Sequence, residues 1–146
     1  MTTNANEIVA YIRVLDPRLR ASLVRGVEEA SRIDLQTTIR ADKLSGQVLK
    51  VRTGTLRSSI QVRMNDSVDE IRGDVFTNLI YAKVHEYGKT ITAKNVPFLK
   101  FQVDGRWVQK RQVTIPARPY MAPALREQAP AIITRLEAAI EETLSE

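Results

Sequence analysis

The sequence contains no cysteine and a single histidine, His85. Without a thiol there is no disulfide framework, no thiolate zinc site and no cysteine nucleophile. The absence also fits a chain made in a reducing cytoplasm. Aromatic residues are few: one Trp, three Phe and four Tyr. No run approaches the roughly 18 apolar residues that a membrane-spanning helix needs, so no membrane partner is expected. The stretch Met1 to Asn6 lacks the basic start and apolar core of a signal peptide. There is no internal repeat and no low-complexity tract.

What is present is an ordinary globular composition. The chain has 146 residues, 43% hydrophobic and 27% charged, which matches one domain spanning residues 1–146 with a core of its own. The net charge is +5, but it is distributed unevenly. Lys43, Lys50, Arg52, Arg57 and Arg63 occupy a stretch with no acidic residue, and a second basic stretch runs from Lys83 to Arg118. From Pro119 onward the sign reverses, with Glu127, Glu137, Glu141, Glu142 and Glu146 against Arg126 and Arg135. A basic middle and an acidic end fit a polyanion partner, subunits that complement one another, or simply a solvated surface.

Residues Ile8, Tyr11, Ile12 and Leu15 have the spacing of a short amphipathic helix over Glu7 to Leu15. Asp16-Pro17 then starts a second helix, with Asp as cap and Pro in the first turn, that runs to about Ala41. Its main apolar stripe is Leu19, Leu23, Val27, Ala30 and Ile33, with Gly26 beside it. Val24, Leu35 and Ile39 form a second stripe, explained either by burial on both sides within the domain or by a partner. Residues 42–55 have no clear period and read as an extended arm or loop carrying Val48, Leu49 and Val51. Together with Val24, Leu35 and Ile39 these are the candidate subunit interface.

Ile60, Val62 and Met64 alternate as a strand, Asn65-Asp66-Ser67 reads as a turn, and Ile71 to Phe76 returns. Tyr81 to Tyr87 forms a short helix ended by Gly88. Thr90 to Ala93 is a brief strand, and Asp104-Gly105 joins two further β-prone runs as a hairpin. The final segment is a long amphipathic helix with Leu125, Ala129, Ile132, Leu136 and Ile140 on one face, and Pro130 predicts a kink or break near Glu127 to Ala129. The order predicts an α+β fold: an antiparallel β-sheet packed with a long N-terminal-half helix and a long C-terminal helix.

Catalytic readings fail one by one. His85-Glu86 would need a second His at position 89 to form a zinc-protease helix, and that position is Lys89. Gly88-Lys89-Thr90 resembles the end of a phosphate loop, but Lys83 stands where the first Gly belongs. Neither a nucleophile elbow nor the carboxylate spacing of a hard-metal site occurs. No catalytic residue, cofactor or metal is therefore expected. The alternative function is a small basic nucleic-acid-binding protein. Its candidate DNA-facing residues are Lys43, Lys50, Arg52, Arg57 and Arg63, with Phe98, Phe101, Trp107 and Tyr120 as aromatics. Core packing is the preferred explanation of those four rings.

Three ordered segments carry a resemblance. The first includes Thr53, Gly54, Leu56, Arg57, Ser59 and Ile60. The second includes Tyr81, Ala82, Glu86 and Gly88. The third includes Pro116, Ala117, Arg118, Pro119, Tyr120, Pro123, Ala124 and Leu125. In this order they resemble the neck and tail-completion (head–tail joining) family of long-tailed bacteriophages and prophages, the group that includes minor tail protein Z. The chain departs from that pattern at Arg52, where many members carry Asp, and at Pro130. The resemblance implies a non-catalytic virion protein made in the host cytoplasm, one subunit of a ring at the head–tail junction. Six-fold symmetry is favoured, with twelve-fold as the alternative. Implied partners are copies of itself, adjacent head-closure and tail-tube or tail-terminator proteins, and DNA in transient, non-specific passage. Such rings close through heterologous contacts, which opposite charges on the middle and the tail would suit.

Overall fold

The computed structural model describes residues 12–51 and 53–145. The helix expected over Glu7 to Leu15 therefore lies largely outside the described residues, as does Arg52. Helix α1 (Pro17–Glu29) begins as its sequence predicts: the Asp16 carboxylate accepts the Arg18 amide at 2.9 Å, with Pro17 in the first turn. Helical structure then continues in two π-wound segments, Ala30–Gln36 and Ile39–Gln47. It stops where Ser45 and Gly46 leave helical geometry, Gly46 at φ +131°. The Val48 and Leu49 amides both turn back to the Lys43 carbonyl, at 3.2 and 3.0 Å.

The extended arm predicted over residues 42–55 is thus replaced by the end of this helix, a tight reversal and a one-turn helix α2 (Thr55–Ser58). The reason is the winding. A π turn closes on the fifth residue and not the fourth, so the buried face drifts and no 3.6-residue period is visible. Leu44 and Leu49 fall inside the core instead, at 3% and 8% exposure.

Strands β1 (Gln61–Ser67) and β2 (Glu70–Phe76) pair antiparallel, Gln61 opposite Phe76 through Ser67 opposite Glu70. The reversal falls at Val68-Asp69, and Asn65, Asp66 and Ser67 are strand residues, contrary to the predicted turn. Cross-strand contacts hold them there. The Asn65 amide donates to Glu70 at 3.0 Å, and Arg20 of α1 grips both the Asp66 carboxylate and the Ser67 carbonyl.

Helix α3 (Ile80–Tyr87) follows, then β3 (Lys89–Thr92), β4 (Leu99–Val103), β5 (Arg106–Lys110) and β6 (Gln112–Ile115). β3 pairs with β6 and β4 with β5, all antiparallel. Because the second pair is nested inside the first, residues 89–115 form one long hairpin, interrupted at residues 93–98 on one side and Arg111 on the other. Its tip is the predicted Asp104-Gly105, both at positive φ (+49° and +77°) as a tight hairpin turn requires. Helix α4 (Met121–Ser145) runs unbroken through Pro130. The break expected there does not occur. Proline deprives only the Arg126 carbonyl of its helical partner, and Arg126 and Pro130 are both exposed, so water can satisfy that oxygen.

The long helix is the centre of the body and is buried on two sides. On one side it meets α4. A Cβ on Gly26 would stand 3.1 Å from Leu136, and the Thr143 hydroxyl donates to Ser22 at 2.6 Å. Arg135 reaches across to both oxygens of Asp34 (2.7 and 3.0 Å) and to Glu29 (3.2 Å). On the other side the helix meets β2 at Gly73. Between Pro17 and Gln36 the buried residues are Ser22, Gly26, Ala30 and Ser31, while Ile33 of the predicted stripe is 56% exposed. Small residues win because side-chain bulk sets how near two elements can come.

Ile39, Leu44, Leu49, Ile60, Tyr120 and Ala124 form the core, with Leu35 and Val48 packed against it. Each large aliphatic there contributes about 1.5–3 kcal/mol. Of the six side chains expected at a subunit interface, Ile39 and Leu49 are therefore inside the subunit, and Leu35 and Val48 are spent on its packing. Val24 is half-buried and Val51 is 46% exposed. Gly73 tests the helix–hairpin contact: an added Cβ would collide with the Ser31 hydroxyl and stand 3.1 Å from the Ser31 Cβ. Gly73→Ala should cost about 1–3 kcal/mol in urea denaturation through overpacking. Adding Ser31→Ala should recover part of that loss, a coupling absent if the two elements do not touch.

Candidate functional site

The three motif segments, distant in sequence, converge on one junction. Gly54 turns the chain at φ +75° into α2, and Ile60, two residues past that helix, is fully buried. Its carbonyl accepts from Gln36 at 2.8 Å and from Arg40 at 2.5 Å, which ties the first motif to the long helix. Ser59 donates to the Leu56 carbonyl at 2.7 Å, and its hydroxyl also contacts that of Thr77 at 2.7 Å. Leu56 packs on the core, and Thr53 is exposed.

The second and third motifs meet at the start of α4. Glu86 is only 9% exposed. One carboxylate oxygen accepts the amides of Tyr120 (2.8 Å) and Met121 (3.0 Å), and the other accepts that of Ala122 (3.0 Å). The first turn of a helix leaves its amides without partners, and an anion there is favoured by the helix dipole as well. Glu86 supplies both effects from another element. Beside it the Arg118 amide donates to the His85 carbonyl at 2.7 Å. Gly88 ends α3 at φ +71°, and any side chain there would press to 2.8 Å from the Ala117 nitrogen. Ala82, Tyr120 and Ala124 are buried at 2%, 1% and 0% exposure. Pro116, Ala117, Arg118 and Pro119 form the exposed crossing, Pro123 is half-buried, and Leu125 is exposed.

This geometry gives Glu86, and the backbone of His85, a structural role. The Glu86 carboxylate is saturated by amides, and His85 contributes its carbonyl while its ring lies edge-on to Tyr81, centroids 6.2 Å apart. Among the described residues no group of His, Asp and Glu is arranged to hold a metal ion. An open groove of about 700 Å³ lies over the junction, walled by Leu44, Leu49, Leu56 and Tyr81, with Lys50, Arg57, His85 and Arg118 at its polar side. Among the described residues no acidic side chain lines it.

The candidate DNA-facing residues do not form one patch. Lys43 is 3% exposed and makes a 2.6 Å ion pair with Glu127 of α4, so it faces the interior and not DNA. Burial without that carboxylate would cost several kcal/mol, which explains why the basic run bends inward at this point. Arg63 pairs with Asp74 at 3.1 Å and lies over the Phe76 ring. Lys50 and Arg57 come together only as groove residues. Core packing, expected for all four aromatics, holds for buried Tyr120. It fails for Phe98 and Trp107, which are 53% and 64% exposed, and Phe101 is half-buried. Among the described residues no helix packs extensively along the 89–115 hairpin to cover them.

These features define a class: a small α+β body whose recurring motifs serve to clamp the base of a protruding hairpin. A family model described as the phage virion morphogenesis family matches residues 30–141, about three quarters of the chain. The chain belongs to that family and is a protein of the bacteriophage particle. Neither a curated protein nor a solved structure matches it significantly. Among the described residues no helix is long and apolar enough to cross a membrane.

Two predictions follow from the junction. Glu86→Ala strands three amides and should cost roughly 2–3 kcal/mol of unfolding free energy, with Glu86→Gln intermediate because one acceptor survives; a loss below the scatter of control surface mutants would show the cap to be dispensable. The second concerns pH. Burial, helped by the neighbouring Glu86 carboxylate, pushes the Tyr120 phenol up to about 12. An unfolded tyrosine ionises near 10, so between about pH 10 and 12 the unfolded chain releases a proton that the folded chain keeps. Stability is then complete below pH 10 and falls by about 2–3 kcal/mol as pH rises through that window. In Tyr120→Phe this part of the decline should vanish, read as a smaller shift of the urea midpoint between pH 9 and 11.5.

Proposed function

We propose that this protein is a structural, non-catalytic subunit of a ring at the phage head–tail junction, acting in tail completion or head–tail joining. The observation that carries the reading is the clamp. Glu86, Gly88, Arg118 and Tyr120, from two of the ordered motifs, fix the base of an exposed hairpin, and the Glu86 carboxylate is spent on that role. A rigid body presenting a projecting element is the architecture of an assembly subunit. Six-fold closure is preferred and twelve-fold is the alternative. The neighbours would be head-closure protein on one side and tail-tube or tail-terminator protein on the other, with DNA passing transiently and without sequence preference. Groove residues Lys50, Arg57 and Arg118 are the cations available for such passage or for an acidic neighbour.

Particles made without the protein are the direct test. Filled heads and finished tails should accumulate unjoined, with infectivity lower by several orders of magnitude, and added purified protein should restore joining in vitro. His85→Ala removes only the ring and keeps the carbonyl that holds Arg118, so it should support joining to within a few-fold. Normal joined particles in the absence of the protein, or a hydrolase activity lost in His85→Ala, would overturn the reading.

A further inference from the structure

We propose that the 89–115 hairpin is an intersubunit arm whose apolar face docks on the acidic outer stripe of α4 in a second copy of the chain. The inference rests on the ring reading and gives that ring its contact.

Pairing register sorts the arm into two faces. Leu99 lies opposite Lys110, Phe101 opposite Val108 and Val103 opposite Arg106. Alternate residues of a strand and their cross-strand partners share a face. One face therefore carries Leu99, Phe101, Val103 and Val108, with Arg106 and Lys110 at its ends. The other carries Gln102, Gln109, Lys100 and Trp107, and there the Lys100 ammonium sits 4.9 Å from the Trp107 ring centre. The polar face thus satisfies itself, and the apolar face does not. Val103 is 47% exposed and Leu99, Phe101 and Val108 are half-buried, while among the described residues no helix packs extensively along the β4–β5 pair. A two-stranded ribbon is marginal in water unless its apolar side is covered.

The complementary surface is on α4. Ile133, Glu137, Glu141 and Leu144 recur at helical spacing on a single outward stripe. Ile133 and Leu144 are 56% and 73% exposed, and both glutamates are exposed. Arg135, the last basic residue of the helix, is spent inward on Asp34 and Glu29, so this end of the helix stays acidic. The stripe pairs two neighbouring acids with flanking Ile133 and Leu144, so it offers opposite charge to the long side chains of Arg106 and Lys110 and apolar cover beside it. Among the described residues the arm and α4 share no extensive contact within one subunit. A contact between them in two copies is heterologous, the kind that closes a ring. Duplex nucleic acid fits this face less well, because its centre, Phe101 and Val108, is apolar and phosphate needs cations there.

The absence of native cysteine makes the test clean. Chains carrying Val103→Cys are mixed with chains carrying Ile133→Cys or Leu144→Cys and treated with a short bis-maleimide, with the mass of untreated assemblies measured in parallel by light scattering. The expected result is a mixed dimer with at least one of the two α4 positions, which also gives the arm's direction. Arg106→Glu with Lys110→Glu should reduce that product by about tenfold or more, and Glu137→Lys with Glu141→Lys in the mixing partner should restore it. These positions are off the core, so thermal midpoints should not move. Absence of the mixed product at both positions overturns the proposal; if rings still form, the ring reading stands without this contact. Charge reversals that abolish duplex DNA binding while leaving the cross-linking yield unchanged also overturn it, and assign the arm to nucleic acid.

Discussion

The Glu86 carboxylate holds the amides of Tyr120, Met121 and Ala122. Removing that anion would leave the first turn of a 25-residue helix with unpaired donors in a half-buried place. The same contact fixes where α4 starts relative to α3, and so fixes where Tyr120 and Ala124 enter the core beside Ile39 and Ile60. It also closes the base of the hairpin, because the chain leaves α3 at Gly88 and returns at Ala117 within van der Waals distance. The start of α4, its entry into the core and the base of the arm thus meet at one side chain.

That arrangement separates the molecule into a body and a projection. The body is made of close contacts between small residues, Ser22 and Gly26 against α4 and Ser31 against Gly73, tied by Arg135 and Arg20. The projection has the opposite character: large side chains, many cations and little cover. A subunit of the proposed ring needs a stable body together with surface that is satisfied on assembly. Rigid clamping of the arm's base reconciles the two, since a pre-positioned element loses less conformational entropy on docking than a loose one.

Charge follows the same division. In the body the cations are largely paired: Lys43 with Glu127, Arg63 with Asp74, Arg135 with Asp34 and Glu29. The arm carries Lys89, Lys94, Lys100, Arg106, Lys110 and Arg111 against Asp104 alone. Excess positive charge is thus presented where the chain projects, and the end of α4 presents acid. In the proposed contact between copies, long-range attraction between such surfaces would speed and orient encounters before any apolar contact forms.

The sequence by itself determined the elements whose causes are local. Asp16-Pro17 starts α1, Gly88 stops α3 and Asp104-Gly105 turns the hairpin, because in each case the residue's own backbone or side chain enforces the geometry. It also determined the α+β class and the absence of recognisable catalytic spacing. Local signals misled at residues 42–55, where π winding hides the period, at Asn65 to Ser67, where cross-strand partners outweigh turn propensity, and at Pro130, where solvent relieves the lost bond. Only the tertiary structure decided what the motif residues do. Glu86 caps a helix that begins 35 residues later, beyond any local capping rule, and Lys43 is turned inward by a carboxylate 84 residues away. It alone placed Trp107 and Phe98 outside and Ile39 and Leu49 inside, because burial depends on which elements lie against a strand or helix, and that is not written in the residue's own neighbourhood.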